Sequence, residues 1–157
     1  MFIVLPNFWS TKQCKNLTKL AEPKTMLIED ASYSIYRRHD FIDRKLAAQL
    51  KVLVQKHTGL DFQVNHKFHY TSYSAGGFIK EHLDGSSDYT FLVYLTPCTG
   101  YQGGHLRANL GASKLELTPD WGTLVIMDQN YLHSVSTIES GYRSVLRVSA
   151  RRNSDKE

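Results

Sequence analysis

"YRSVLRVSAR", residues 142 to 151, is the stretch on which the fold turns. Side chains of a β-strand alternate between its two faces. Read as a strand, Arg143, Val145, Arg147 and Ser149 share one face, while Ser144, Leu146, Val148 and Ala150 share the other. The second face suits an apolar core. The first carries two arginines, which is unusual for a simple sandwich core. A buried arginine needs an anionic partner, and its planar fork suits a carboxylate. The strand therefore predicts a sheet with one packed side and one charged side.

The same texture reaches back to Gly59. Short runs rich in Val, Ile, Tyr, Phe and Thr alternate with Gly, Pro, Ser, Asn and Asp, and strands are predicted near 66–74, 78–84, 88–95, 104–109, 113–118, 122–127 and 142–150. Many short strands with turn signals indicate a sandwich or barrel. Before Gly59 the period becomes helical. Ser10 with Gln13 is a capping-box pattern, Cys14, Leu17 and Ala21 follow at helical spacing, and Pro23 lies beyond. A second helix fits 43–58, with Leu46, Leu50, Leu53 and Val54 as its stripe and Gly59 as terminator. The fold class is mainly β with N-terminal helices (α+β). The expected organisation is one domain, 1–157: a helical support region over 1–65, a β core over 66–150 and a frayed tail over 151–157. A lid over any site on the core is expected from 24–40.

Composition sets outer bounds. With 41% hydrophobic and 22% charged residues, and nine Tyr, seven Phe and two Trp, the chain reads as globular rather than disordered. The net charge of +4 comes from scattered basic residues, which read as solvated faces. Cys14 and Cys98 are far apart and read as reduced thiols. No apolar run approaches the length of a membrane span. "MFIVLPNFW" lacks a basic leader region and meets Pro6 early. A cytoplasmic protein without membrane contact is expected.

"EHLD", residues 81 to 84, places His82 and Asp84 two apart, on one face of a predicted strand. Alone, the pair also reads as a hydrogen-bonded surface pair. A non-haem Fe(II) site needs two His and one carboxylate, with open positions left over. His133, after the apolar run "GTLVIMD", is the best second His. His66 and His69 are three apart on a strand and cannot chelate together. His105, after Gly103 and Gly104, is a candidate substrate contact. No helix start follows Gly76, Gly77, Gly103 or Gly104, so these read as turns and strand entries rather than phosphate cradles.

His82-x-Asp84, then His133, then Arg143 ten positions on, resembles the Fe(II)/2-oxoglutarate-dependent dioxygenases, in their prolyl 4-hydroxylase-like branch. "YSAGGFIKEHLD" looks like the family's run into the metal motif, and "TFLVYLTP" like its next strand. "GGHLRAN" looks like the Gly-Gly strand start, and "LTPDWGTLVIMDQNYLHSV" like the approach to the distal His. The resemblance implies a double-stranded β-helix, a distorted jelly roll. It implies His82, Asp84 and His133 as Fe(II) ligands. It implies cosubstrate contacts from Arg143 and Tyr94, with Tyr73 lining the pocket. Arg147 departs from the usual small or neutral residue and would touch the cosubstrate, the product side of the iron or an anionic substrate. The loop "GSSDY" is short and lacks the family's usual Arg before Thr90.

The implied cofactors are Fe(II), 2-oxoglutarate and O2, with ascorbate in support. The implied reaction is hydroxylation coupled to decarboxylation of 2-oxoglutarate, with a prolyl residue of a protein or peptide as the leading substrate. Alternatives are a free amino acid or small metabolite, oxidative demethylation of nucleic acid, a non-catalytic jelly-roll binding module and a Zn(II) hydrolase. Nucleic acid is disfavoured because little chain is left for a recognition lid, and the hydrolase because it leaves Arg143 unexplained. The sequence leaves the substrate, the hydroxylated carbon, the oligomeric state and the reach of Cys98 to the iron open.

Overall fold

Helix α1 (Thr11–Ala21) begins where capping chemistry places it. The Ser10 hydroxyl accepts the Gln13 amide at 3.2 Å, and the Gln13 side chain accepts the Ser10 amide at 2.9 Å. Helix α2 (Arg44–Thr58) is capped by Asp43, whose carboxylate accepts the Leu46 amide at 2.9 Å, and ends at Gly59 with φ 72°. A left-handed residue there closes the last turn at least cost as glycine. The computed structural model describes residues 1–85 and 88–153.

The strands are β1 (Phe2–Leu5), β2 (Met26–Asp30), β3 (Ser34–Ile42), β4 (Phe62–Tyr73), β5 (Phe78–His82), β6 (Tyr89–Tyr94), β7 (Tyr101–Gly103), β8 (Leu106–Asn109), β9 (Lys114–Leu117), β10 (Leu124–Asp128), β11 (Leu132–Val135), β12 (Ile138–Gly141) and β13 (Arg143–Arg152). They form a curled antiparallel sheet in the order β1-β10-β6-β13-β4-β3-β5-β11-β8-β9, with β2 added to β3 and a separate β12-β7 pair. Strand β3 carries the curl. Its C-terminal half pairs with β4, from Arg37 opposite Ser72 to Ile42 opposite Lys67. Its start pairs with β5, Ser34 opposite Ile79. The two ends of the sheet then face each other across a cavity. This is the mainly β jelly roll expected from the sequence.

The alternation on β13 holds. Leu146, Val148 and Ala150 pack with Phe62, Phe68 and Phe91 of the sheet and with Leu50 and Val54 of α2 in the main core. Arg143, Val145 and Arg147 point the other way, into the cavity. The helices thus cover one face of the sheet and leave its concave face for the site.

Several local expectations differ. Strands β1, β2 and β3 lie inside the region expected to be helical support, where no strand was predicted, and β4 starts at Phe62. The chain over 24–40 is not a free lid: most of it is the β2–β3 hairpin, built into the sheet. Its partners are distant in sequence, and "YRRHD" breaks any apolar alternation, so no local signal marks it. Strand β5 stops at His82, leaving Asp84 beyond the strand. Strands β7, β11 and β12 are short and were not predicted. Strand β13 runs on to Arg152, into the predicted tail. Residues 154–157 lie outside the described residues, as do Ser86 and Ser87 of the short loop. No described helix is long and apolar enough to cross a membrane.

Candidate metal centre

His82 at the end of β5 and His133 on β11 are direct partners across an antiparallel pair. Each ring is turned by a backbone carbonyl. His82 Nδ1 donates to the Lys80 carbonyl at 2.8 Å, and His133 Nδ1 donates to the Tyr131 carbonyl at 3.0 Å. A donating Nδ1 leaves Nε2 of a neutral ring with a lone pair. Asp84 Oδ1 lies 3.2 Å from His82 Nε2, and Asp84 Oδ2 lies 3.1 Å from His133 Nε2. Thr90 holds the carboxylate in place, its hydroxyl donating to Oδ2 at 2.9 Å.

Lone pairs on nitrogen and carboxylate oxygen at these separations repel unless a proton or a cation lies among them. The three donor groups come within 4.8 Å of one another. Two imidazole nitrogens and one carboxylate are the donor set that suits Fe(II) with positions left open. These residues therefore fit a divalent metal. Burial pushes the Asp84 carboxyl up, but hydrogen bonds from His133 and His82 outweigh it and hold the group well below the usual carboxylate range. Burial pushes His133 down, and the Asp84 carboxylate more than reverses that.

Arg143 sits on the opposite wall, 2% exposed. Its Nη2 donates to the Tyr94 hydroxyl at 2.9 Å, and its guanidinium lies 5.1 Å from both the Tyr73 and Tyr94 ring centres. Its Nε has no hydrogen-bond partner, and no carboxylate pairs with it among the described residues. A buried cation in that state costs free energy that an entering anion would offset. Gly104 keeps this end open. With φ +64°, a Cβ there would lie 2.2 Å from Ile138 Cδ1 and 3.3 Å from Arg143 Cδ.

The His–Asp–His cluster and Arg143 line one cavity of about 210 Å³. Tyr73 closes its inner wall, stacked on Tyr36 with ring centres 5.4 Å apart. Arg147, Arg38 and Tyr33 line the same cavity. Arg147 Nη1 is 4.0 Å from Asp84 Oδ1, with its side chain 26% exposed. Of the sequence-predicted residues, His82, Asp84, His133, Arg143, Tyr73 and Arg147 thus meet in one space, with Tyr94 behind Arg143.

Other histidines do not join them. His66 contacts Arg44, and His69 contacts Asp40. His105 and Cys98 are not among the cavity's lining residues. The His105 ring bonds the Thr118 hydroxyl at 2.6 Å, and the Cys98 amide donates to Asp120. Sequence reading missed Thr90, Tyr36, Arg38 and Tyr101. Tyr101 is 6% exposed, its hydroxyl has no hydrogen-bond partner among the described residues, and burial pushes its pKa up to about 12. Tyr36 and Arg38 stand on the unrecognised β3, and neither Thr90 nor Tyr101 carries a distinguishing local pattern.

A family model described as the 2OG-Fe(II) oxygenase superfamily matches residues 68–151. A PKHD-type hydroxylase of Prochlorococcus marinus is 39% identical over 61 residues, which is 39% of this chain and 28% of that protein. The match therefore spans less than a third of that relative's length. Among solved structures, a Pseudomonas putida prolyl-4-hydroxylase aligns with TM-score 0.73 and 20% identity over 98% of this chain and 93% of its own. The viral collagen prolyl hydroxylase of Paramecium Bursaria Chlorella virus-1 aligns with TM-score 0.74 and 16% identity over 98% and 96%. At such identities the structures establish the fold, and the family model covers more than half of the sequence. With the strand pair, the triad and the buried arginine in place, the chain belongs to the 2OG-Fe(II) oxygenase superfamily.

Proposed function

We propose that this protein is a 2-oxoglutarate-dependent hydroxylase. His82, Asp84 and His133 hold Fe(II). Arg143 and Tyr94 hold the far carboxylate of 2-oxoglutarate, and Tyr73 forms the wall beside it. The metal and cosubstrate, when bound, supply a reaction in which 2-oxoglutarate and O2 give succinate and CO2 as one oxygen atom enters a substrate C–H bond. The chain's own part is to orient and to exclude water. The carbonyls of Lys80 and Tyr131 keep both Nε2 atoms aimed at the metal. Thr90 keeps Asp84 there.

The observation that carries this reading is Arg143, buried in the cavity that holds the triad and without a carboxylate partner among the described residues. The names of the two similar prolyl hydroxylase structures support a prolyl residue of a protein or peptide as the substrate. Two free cysteines suit a reducing, cytoplasmic setting.

The test is succinate release by the metal-free protein given Fe(II), 2-oxoglutarate and O2, beside His82→Ala and Arg143→Ala. Succinate that requires Fe(II) and is lost in both variants supports the reading. Absence of 2-oxoglutarate binding in the metal-loaded wild type would overturn it.

A further inference from the structure

Arg147 is a cavity-lining arginine that no role above uses. Three observations describe it. It lies on β13 four residues beyond Arg143, on the same face, so their Cα atoms stand about 13 Å apart. Its guanidinium reaches the triad's side of the cavity, 4.0 Å from Asp84 Oδ1. Among the described residues it has no other ion pair, and no hydrogen bond satisfies it.

The nearby carboxylate that could have neutralised it is committed elsewhere. Arg147 is the cross-strand neighbour of His69, and His69 is the neighbour of Asp40 on β3. Asp40 takes Arg38 on both oxygens, at 2.7 and 2.9 Å, and His69 Nδ1 at 2.6 Å. Arg38 at the mouth is thus cancelled, and Arg147 is not.

Charge balance then shows what is missing. With a divalent cation on the triad, Asp84 neutralises one of its charges. The remaining metal charge and Arg143 match the two carboxylates of 2-oxoglutarate. Arg147 is left over, half-buried beside the triad, with no hydrogen bond to satisfy it among the described residues. A guanidinium in that position is a carboxylate receptor.

Resting on the hydroxylase reading above, we infer that Arg147 is a specificity-determining residue that binds a carboxylate of the substrate. The carboxylate comes either from a free small acid, such as an amino acid, or from an acidic side chain beside the target residue of a peptide. Its fork would fix the reacting carbon in position relative to the triad.

The probes are matched pairs that differ in one charge: L-proline against L-prolinamide, and a capped Gly-Pro-Asp-Gly peptide against its Gly-Pro-Asn-Gly counterpart. Binding is measured by calorimetry on protein loaded with Zn(II) and 2-oxoglutarate, because Zn(II) has no redox chemistry and the complex does not turn over. The acid of at least one pair should bind about tenfold or more tighter than its amide, as a charge-assisted contact requires. Arg147→Leu should bring that ratio to about one. The ratio is taken within one protein, so any loss of 2-oxoglutarate affinity in the variant cancels. Preference in the proline pair identifies a small acid, and preference in the peptide pair an acidic peptide. Both support the inference. Equal binding of acid and amide in both pairs, or no binding of any probe, overturns it while leaving the hydroxylase reading intact. Failure of the loaded wild type to bind 2-oxoglutarate overturns both.

Discussion

His82 and His133 are related by more than proximity. They are partners across β5 and β11 with ring centres 4.3 Å apart, and each donates Nδ1–H to the carbonyl of the residue two positions before it. The same local device, used twice, aims both Nε2 atoms at Asp84. A chain that needed only a surface pair would not require both rings locked in one tautomer.

Metal binding should follow from that arrangement. Mn(II) or Fe(II) added to 100 times its Kd should stabilise the protein by about 2.7 kcal/mol, by linkage to the folded state. His133→Ala and Asp84→Asn should abolish the gain, because each removes a ligand. Thermal melts with and without metal, and with a chelator added back, measure it. A metal shift that survives Asp84→Asn would place the ion elsewhere.

Arg143 should trade stability against ligand binding. Its Nε is unpaired among the described residues, at 2% exposure. Replacing a poorly compensated buried charge by an apolar side chain of similar volume is often neutral or stabilising, by up to about 3 kcal/mol. Arg143→Met should therefore leave the metal-free protein as stable as wild type, or more so. It should weaken 2-oxoglutarate by on the order of 100-fold, the loss of a bidentate charged contact. Urea denaturation and calorimetry read the two effects separately. A strongly destabilised variant that still binds 2-oxoglutarate would mean that Arg143 is a structural residue.

What was legible in the sequence follows the range of the interactions. Helix caps are local, and Ser10, Gln13 and Gly59 were readable from spacing, while Asp43 was read as part of the helix that it caps. The faces of β13 were readable because one face is apolar from Leu146 to Ala150. Strand β3 was not, since its register comes from β4 and β5, far along the chain. Asp84 was placed on the right side of the site for an incomplete reason. Strand alternation stops at His82, and the carboxylate is held instead by the Thr90 hydroxyl, which places its oxygens beside both imidazole Nε2 atoms. Tyr36 and Arg38 were missed with the strand that carries them.

Glu22 should be a structural anchor behind the sheet. Its carboxylate accepts the Tyr70 hydroxyl at 2.7 Å, the Tyr142 hydroxyl at 2.6 Å and the Ser72 hydroxyl at 3.2 Å. It ties the turn after α1 to β4 and to the residue before Arg143. Glu22→Ala leaves three part-buried hydroxyls to find other partners and should cost about 3 kcal/mol. The drop in urea midpoint at unchanged slope measures it. A change below about 0.5 kcal/mol would show that water satisfies the hydroxyls equally well.

Asp40 should shape the acid limb of the stability curve. Burial pushes its carboxyl up, but hydrogen bonds from Arg38 and His69 prevail and bring it from 3.8 to about 2. A depressed carboxylate pKa stabilises the folded state above the unfolded value, and the gain is lost as pH falls towards the folded value. The window therefore lies between about pH 4 and pH 2. The side chain is 33% exposed, so solvent screening keeps the effect small. Asp40→Asn should lower stability modestly near neutral pH and flatten its decline across that window, while the decline from other carboxylates persists. Chemical denaturation of both proteins at several pH values tests this through the difference between the curves. Parallel curves from pH 5 down to pH 2 would show that the Arg38–Asp40–His69 contacts contribute nothing to folding.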